Sequence, residues 1–255
     1  MPEGLEAEIY RRAADGLAGG RIDRVWVDPS CGDERELSTL VGARVEEIRR
    51  LGKHMLIDTS SGVLGVHFGM TGRLVLDGRA AIAALEYGSD RDDPRWDRLV
   101  MTVGGAIVRV TDPRRWSRYV LEPDTSRLGV DLFQPAKVLR LALDRAAHRR
   151  SPIKAVLLDQ QLIAGIGNLI ADEVLFTAGF APSRRFDALD SAERADLARV
   201  ISRTVRQLDR RGGSHTGATG PPVRAVGGRC PRDDSPFERG TVAGRTSLWC
   251  PVHQR

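Results

Sequence analysis

The sequence predicts an α+β chain in which an all-β half precedes a helical half. Three observations predict it. Short runs between Arg21 and Asp112 alternate apolar and polar residues with period two, the pattern changes to helical spacing from Pro135, and a turn-rich stretch separates the halves. At 255 residues the chain has room for two domains of ordinary size.

The first element is "PEGLEAEIYRRAADGLAGG", an amphipathic helix with Pro2 at its first position, acids in its first turn and glycines beyond its end. Leu5, Ile9, Ala13 and Leu17 recur at four-residue spacing along one face. Pro2 also carries a chemical reading. Removal of Met1 turns it into a free secondary amine beside the Glu3 carboxylate, which makes the helix start a potential nucleophile.

Strands follow in "RIDRVWV", "ARVEEIRRLGKHMLID", "GVLGVHFGMTGRLVLDG" and "RLVMTVGGAIVRVTD", with Gly104 and Gly105 forming a tight hairpin. Several short strands at regular spacing favour a sandwich or a barrel. "PDTSRLGVDLFQPA" has linker composition. Helices are expected in "PAKVLRLALDRAAHRR", "SPIKAVLLDQQL", "NLIADEVLFTAGF" and "SAERADLARVISRTVRQLDRR", and "GGSHTGATGPP" reads as a flexible loop.

The net charge of +5 is unevenly placed: from Arg203 to Arg255 ten arginines face Asp209, Asp233, Asp234 and Glu238. A basic C-terminal segment points to a polyanion partner, against the alternative of a solvated surface. Three cysteines, Cys31, Cys230 and Cys250, exclude a disulfide scaffold. No apolar run approaches a membrane span and the charged first helix lacks a signal-peptide core, so the expected compartment is the cytoplasm. Lysine occurs only as Lys53, Lys137 and Lys154.

Three further signals carry chemistry. In "LLDQQLIAGIGNLIADEVLF" two helical segments flank a turn at Ala164 to Gly167, with Asn168 read as the N-cap of the second helix; free amides at such a start bind phosphate. The tail places Cys230, Asp233, Cys250 and His253 with gaps of two, sixteen and two residues, the spacing of a two-knuckle zinc ribbon. Zinc accepts all three ligand types, and a finger held by apolar contacts is the alternative. The third signal is the set "LGKHML", "HFGMTGRL" and "TDPRRWSRY".

Together with "MPEG", and in this order, these segments resemble the formamidopyrimidine-DNA glycosylase and endonuclease VIII family of base-excision repair enzymes over nearly the whole chain. The resemblance implies an N-terminal β-sandwich domain and a C-terminal helical domain with a helix-two-turn-helix and a zinc-finger-like β-hairpin, gripping damaged duplex DNA between them. It implies segments 1–130, 131–225 and 226–255 for the catalytic helix and sandwich, the helix-two-turn-helix domain and the finger. The activity implied is a bifunctional glycosylase and abasic-site lyase. Pro2 is then the catalytic amine, Glu3 the proton shuttle, Lys53 a general acid and phosphate contact, and Glu6 a supporting carboxylate.

By the same resemblance Asn168 and Arg245 grip the phosphates flanking the lesion, and Met70, Arg114 and Trp116 fill the hole left by the flipped base. Trp116 departs from the phenylalanine usual in the enzymes acting on oxidised purines. One structural zinc on Cys230, Asp233, Cys250 and His253, a partner in damaged double-stranded DNA, a monomeric state without an obligate protein partner or membrane contact, and a bacterial cytosol or nucleoid location complete the expectations. The competing expectation is a non-catalytic relative that binds damaged or abasic DNA. Only "GGSHTGATGPPVRAVGGR" separates Arg211 from Cys230, shorter than the loop by which the purine-removing branch covers its base, so weak selectivity for 8-oxoguanine is expected.

Overall fold

The computed structural model describes residues 2–83, 85, 91–224 and 227–255. They form two compact units, Met1–Ser126 and Arg127–Arg255.

The first unit starts with α1 (Gly4–Ala14), followed by β1 (Ile22–Val27), the single-turn helix α2 (Glu34–Ser38) and the strands β2 (Val45–Leu51), β3 (His54–Thr59) and β4 (Gly62–His67). Then come β5 (Arg73–Leu76), β6 (Arg79–Ala80), β7 (Asp97–Val103), β8 (Ala106–Thr111) and β9 (Arg118–Leu121). They make two antiparallel sheets, ordered β1-β7-β8-β5-β6 and β2-β3-β4-β9. Leu74, Leu99, Met101, Val108 and Val110 of the first sheet pack in one cluster with Val45, Ile48, Met55, Ile57, Leu64 and Val66 of the second. That shared core resolves the choice left open by strand spacing in favour of a sandwich. The expected hairpin is present: Gly104 and Gly105 have φ of +56° and +87°, the paired left-handed backbone of a tight two-residue turn between β7 and β8.

The second unit holds β10 (Val130–Asp131), α3 (Ala136–Arg145), α4 (Ile153–Leu158), β11 (Ile163–Ala164), α5 (Asn168–Ala178), α6 (Ser191–Arg211), the short α7 (Pro221–Arg224) and the hairpin β12 (Glu238–Val242) and β13 (Arg245–Trp249). β10 pairs with β11 in parallel, so part of the stretch read as a linker is folded. Helix α5 is buried from Leu169 to Phe176, polar residues included, while α6 packs on α3 and α5 through its apolar face.

Two expectations need correction. Helix α4 stops at Leu158 rather than running on to residue 162, because Asp159 leaves the helical region (ψ 106°) and its carboxylate instead caps the amide of Gln161. The stretch read as a flexible loop is folded onto α5: the Thr219 amide and hydroxyl both donate to Glu173 Oε2 at 2.8 Å. A side chain at Gly217 would meet that carboxylate, so glycine there permits a close approach instead of freedom.

Candidate active site

Helix α1 begins at Gly4, with Glu3 as its N-cap and Pro2 buried just ahead of it. Pro2 is therefore outside the helix rather than at its first position. The start is locked by a capping box: the Glu3 amide donates to Glu6 Oε2 at 2.8 Å, and the Glu3 side chain accepts from the Glu6 amide. Both carboxylates are almost fully buried, at 1% and 2% exposure, so the first turn presents two immobilised acids directly beside Pro2.

Helix α1 packs on β2, β3 and β5. Glu8 Oε2 accepts from Arg50 Nε at 3.2 Å, and Arg50 Nη1 donates to the Gly52 carbonyl at 2.8 Å. Through these two bonds the helix fixes the turn that carries Lys53 between β2 and β3. His54 and His67 face each other across β3 and β4 with ring centroids 5.0 Å apart. Burial pushes both imidazoles down, with Lys53 adding to the effect at each, and the His54 ring contributes further at His67, which falls to about 4. The Gly69 amide donates to His67 Nδ1 at 3.2 Å, which is compatible only with a neutral ring protonated at Nε2.

Asp112, fully buried, organises the next loop. Its carboxylate accepts from the amides of Arg114 (3.1 Å), Trp116 (2.7 Å) and Ser117 (2.8 Å) and from the Thr71 hydroxyl. The last bond joins the Met70 turn to the Arg114–Trp116 turn. Gly69 closes the same junction: at φ +58°, a Cβ there would lie 2.5 Å from the Trp116 carbonyl carbon. Trp116 stands 53% exposed with the Arg114 guanidinium 5.8 Å from its ring centre. A large ring held in solvent by a rigid loop suits a wedge between bases.

In the second unit, the turn before α5 is braced by Gln160, which accepts from the Gly165 amide and donates to the carbonyls of Leu158 and Ile166, all at 2.9 Å. The N-cap of α5 is Gly167 and Asn168 is its first helical residue, so the helix starts one residue earlier than expected. Gly167 offers no capping side chain, and Asn168 Oδ1 is buried without a hydrogen-bond partner among the described residues. The Asn168 amide oxygen is thus a polar group at the helix start that a ligand can engage.

Arg245 opens β13 after a tight turn at Ala243 and Gly244, whose φ values are +53° and +70°. Lys154, completely buried on α4, holds this strand: Nζ is 2.6 Å from Asp172 Oδ1 and donates to Thr246 O (2.9 Å) and Ser247 Oγ (2.7 Å). Arg224 pairs with the other Asp172 oxygen and donates to Thr219 O.

The side chains Cys230, Asp233, Cys250 and His253 bring one ligand atom each to within 4.8 Å of one another. Tetrahedral zinc with bonds of about 2.0–2.3 Å needs ligand atoms about 3.3–3.8 Å apart, which small side-chain adjustments reach. Asp233 already lies 3.2 Å from His253 Nδ1 and 3.6 Å from Cys250 Sγ. Bonds from Ser235 hold its carboxyl well below the usual range, so it is a charged donor. The donor set fits one zinc ion. The finger also packs on α5, where Phe176 joins Cys230, Cys250 and Phe237, so apolar contacts support it as well.

Comparison with known proteins bears directly on this arrangement. Residues 1–119 match the formamidopyrimidine-DNA glycosylase N-terminal domain, and residues 128–218 match the formamidopyrimidine-DNA glycosylase H2TH domain. The chain belongs to the formamidopyrimidine-DNA glycosylase family. A formamidopyrimidine-DNA glycosylase of Gluconobacter oxydans (strain 621H) is 34% identical, with both chains covered in full. The MutM (Fpg) protein of Thermus thermophilus superposes with a TM-score of 0.80 at 29% identity, covering 99% of this chain and 98% of that one. A Lactococcus lactis Fpg solved in complex with DNA containing an abasic site gives a TM-score of 0.80 at 25% identity, covering 99% of each chain.

Among the expected family residues, Pro2, Glu3 and Glu6 share one helix start, and Met70, Arg114 and Trp116 share one pair of turns. Lys53 is joined to α1 through Glu8 and Arg50, while Asn168 and Arg245 sit on separate elements of the second unit. Sequence reasoning gave no role to Asp112, His54, His67, Glu173 or the Lys154–Asp172–Arg224 group. For Lys154 a signal existed, since it is one of three lysines and lies in an apolar helical run.

Proposed function

We propose that this family member is a bifunctional DNA glycosylase and abasic-site lyase of base-excision repair, acting through a Schiff base on Pro2. The observation that carries the reading is the buried Pro2 set directly ahead of a helix start whose two acids are held in a capping box. The positive end of α1 disfavours the protonated amine and so keeps a neutral nucleophile available after Met1 is removed. Attack of the Pro2 nitrogen at the sugar C1′ expels the base with loss of the amine proton, and cleavage of the C1′–O4′ bond with a proton delivered to O4′ then leaves an iminium, positively charged without protonation. That charge withdraws electrons, so loss of a C2′ proton and elimination of the 3′ phosphate become easier. Glu3 carries the proton that opens the sugar ring, Glu6 fixes the Glu3 backbone, and Lys53 acts as general acid and phosphate contact.

Trp116, Arg114 and Met70 fill the space vacated by the flipped nucleotide, and Asn168 and Arg245 hold the flanking phosphates. Zinc on Cys230, Asp233, Cys250 and His253 gives the finger a structural cross-link, and about one ion per chain is expected on elemental analysis, lost on Cys250→Ser. Segments 1–130, 131–225 and 226–255 divide these tasks. A monomer in the bacterial cytosol fits the reading, and no helix among the described residues is long and apolar enough to cross a membrane.

For the substrate, we infer damaged duplex DNA, abasic sites and ring-opened or ring-saturated bases before 8-oxoguanine. The short interval between Arg211 and Cys230, pinned by the Glu173–Thr219 bonds, supports this preference. One or two missing hydrogen bonds cost about 1–3 kcal/mol, or about tenfold to a hundredfold in discrimination. A non-catalytic binder would need none of Pro2, Glu3 and Lys53.

The test is borohydride trapping on an abasic-site duplex, followed by single-turnover cleavage of duplexes carrying one lesion each. Covalent trapping by the wild type and a slower lyase step in Pro2→Gly are expected. Tight binding without any trapped species would establish the binder instead. Fastest release of 8-oxoguanine among the lesions would overturn the substrate preference.

A further inference from the structure

Helix α6 buries Leu197, Ala198, Ile201, Val205 and Leu208 and turns Arg199, Arg203, Arg206 and Arg210 to solvent. Steps of four, three and four residues keep the four guanidinium stems within about 60° of arc over about 16 Å of helix. Arg199 forms an exposed pair with Asp196 at 2.7 Å, whereas Arg203, Arg206 and Arg210 have no ion-pair partner among the described residues. Like charges at this spacing repel, so these three arginines are a local cost to the helix.

The same four arginines line an open pocket of about 310 Å³ together with Ala136 and Ser202. Ala136 is the first residue of α3, whose N-cap is Pro135, a residue with no capping side chain. The Val138 amide donates to the Pro135 carbonyl, which leaves the amides of Ala136 and Lys137 for an outside acceptor. Ser202, 8% exposed, lies at the floor of the stripe between Arg199 and Arg206. Unpartnered guanidiniums beside an uncapped helix start, around one pocket, present concentrated positive charge and free donors to a phosphate.

We propose that this α3–α6 surface is a second nucleic-acid contact that holds the phosphodiester backbone of duplex DNA outside the lesion site. None of the six lining residues belongs to the set assigned to the lesion. A single phosphate could fill the pocket, but the stripe is longer: about 16 Å corresponds to about five steps of a DNA strand at about 3.4 Å each. Its role is sequence-independent hold on undamaged duplex during the search for lesions. The proposal rests on DNA being the partner, and its experiment separates the two claims.

The experiment compares the wild type with the triple variant Arg203→Gln/Arg206→Gln/Arg210→Gln and with the corresponding triple lysine variant. Affinity for an undamaged duplex of about 40 base pairs is measured against salt concentration, and trapping is measured on an abasic duplex of about 12 base pairs. The glutamine variant should lose about 2–3 from the slope of log affinity against log salt, at about 0.9 per phosphate contact, and tenfold or more in affinity for the long duplex. The lysine variant should keep the slope, and all three proteins should trap the short abasic duplex equally. An unchanged slope in the glutamine variant overturns the proposal, as does a loss confined to the short duplex. A wild type that traps nothing yet shows the arginine-dependent slope contradicts the enzymatic reading while leaving the second contact standing.

Discussion

The two units hold their candidate site residues in different ways. In the first, most bonds of each anchor are short in sequence, since Asp112 serves amides two to five residues ahead and Glu6 reaches back three residues to Glu3, with single longer links from Asp112 to Thr71 and from Glu8 to Arg50. In the second, Lys154 reaches a strand 92 residues further on, and Asp172 joins it to Arg224 across 52 residues. A local anchor preorganises one turn, whereas a buried charge shared by α4, α5, α7 and β13 makes several segments depend on one another. The Met70 and Arg114–Trp116 turns, tied to each other by Asp112, should therefore fail without the rest of the first unit, and the finger together with several segments of the second.

The largest effect expected is from Asp172→Ala. It leaves Lys154 and Arg224 buried without their shared carboxylate and should cost the second unit about 3–5 kcal/mol. Trp249 on β13 reports on this unit, while Trp26, Trp96 and Trp116 lie in the first, so tryptophan replacements can separate the two denaturant transitions. Replacing both partners, Lys154→Met with Asp172→Leu, should cost less than Asp172→Ala alone. Equal loss in both units would break the comparison.

Next is the acid response of the first unit. His67 has its value lowered from 6.5 to about 4, so the unfolded chain binds its proton first as pH falls. Stability from this group is complete above about pH 6.5 and is lost progressively down to about pH 4, in total of order 2 kcal/mol after allowance for partial exposure. His67→Phe should flatten that part of the pH profile measured by denaturant unfolding.

A smaller effect, about 1–2 kcal/mol, is expected for Asp112→Asn, which removes an acceptor from a carboxylate serving three amides and a hydroxyl. Trp116 emission should change while the Trp249 transition stays in place, which sharpens the distinction between a local anchor and a shared one. The smallest effect is Ala243→Gly. Ala243 sits at φ +53° in the finger turn, and relief of that strain should stabilise the hairpin by up to about 1 kcal/mol, seen as a higher midpoint for Trp249.

How much of this was legible in the sequence follows the same division. Strand alternation, the Gly104–Gly105 hairpin, the long helix α6 and the order of the family segments could be read because period and turn chemistry are local properties. Helix starts were misplaced by one or two residues at Pro2 and Asn168, since Glu3 and Gly167 take the cap positions and cap choice depends on backbone geometry as well as residue type. Glycine and serine in "GGSHTGATGPP" suggested freedom, but Glu173 supplies acceptors that composition does not reveal. The role of Lys154 could not be derived because its partners Thr246 and Ser247 are unremarkable residues brought close only by the fold. At the finger, spacing pointed to the ligand set, and the structure adds that the four donors converge.

The central claim is that the chemistry runs through the amine next to the α1 capping box. Its most direct test is peptide mapping by mass spectrometry of the protein trapped with borohydride on an abasic-site duplex. The competing amines are few, since Lys53, Lys137 and Lys154 are the only lysines and Lys154 is completely buried. The account predicts the DNA remnant on Pro2 of a chain lacking Met1, with every lysine-containing peptide unmodified. An adduct on Lys53, with the Pro2 peptide recovered unchanged, would contradict it.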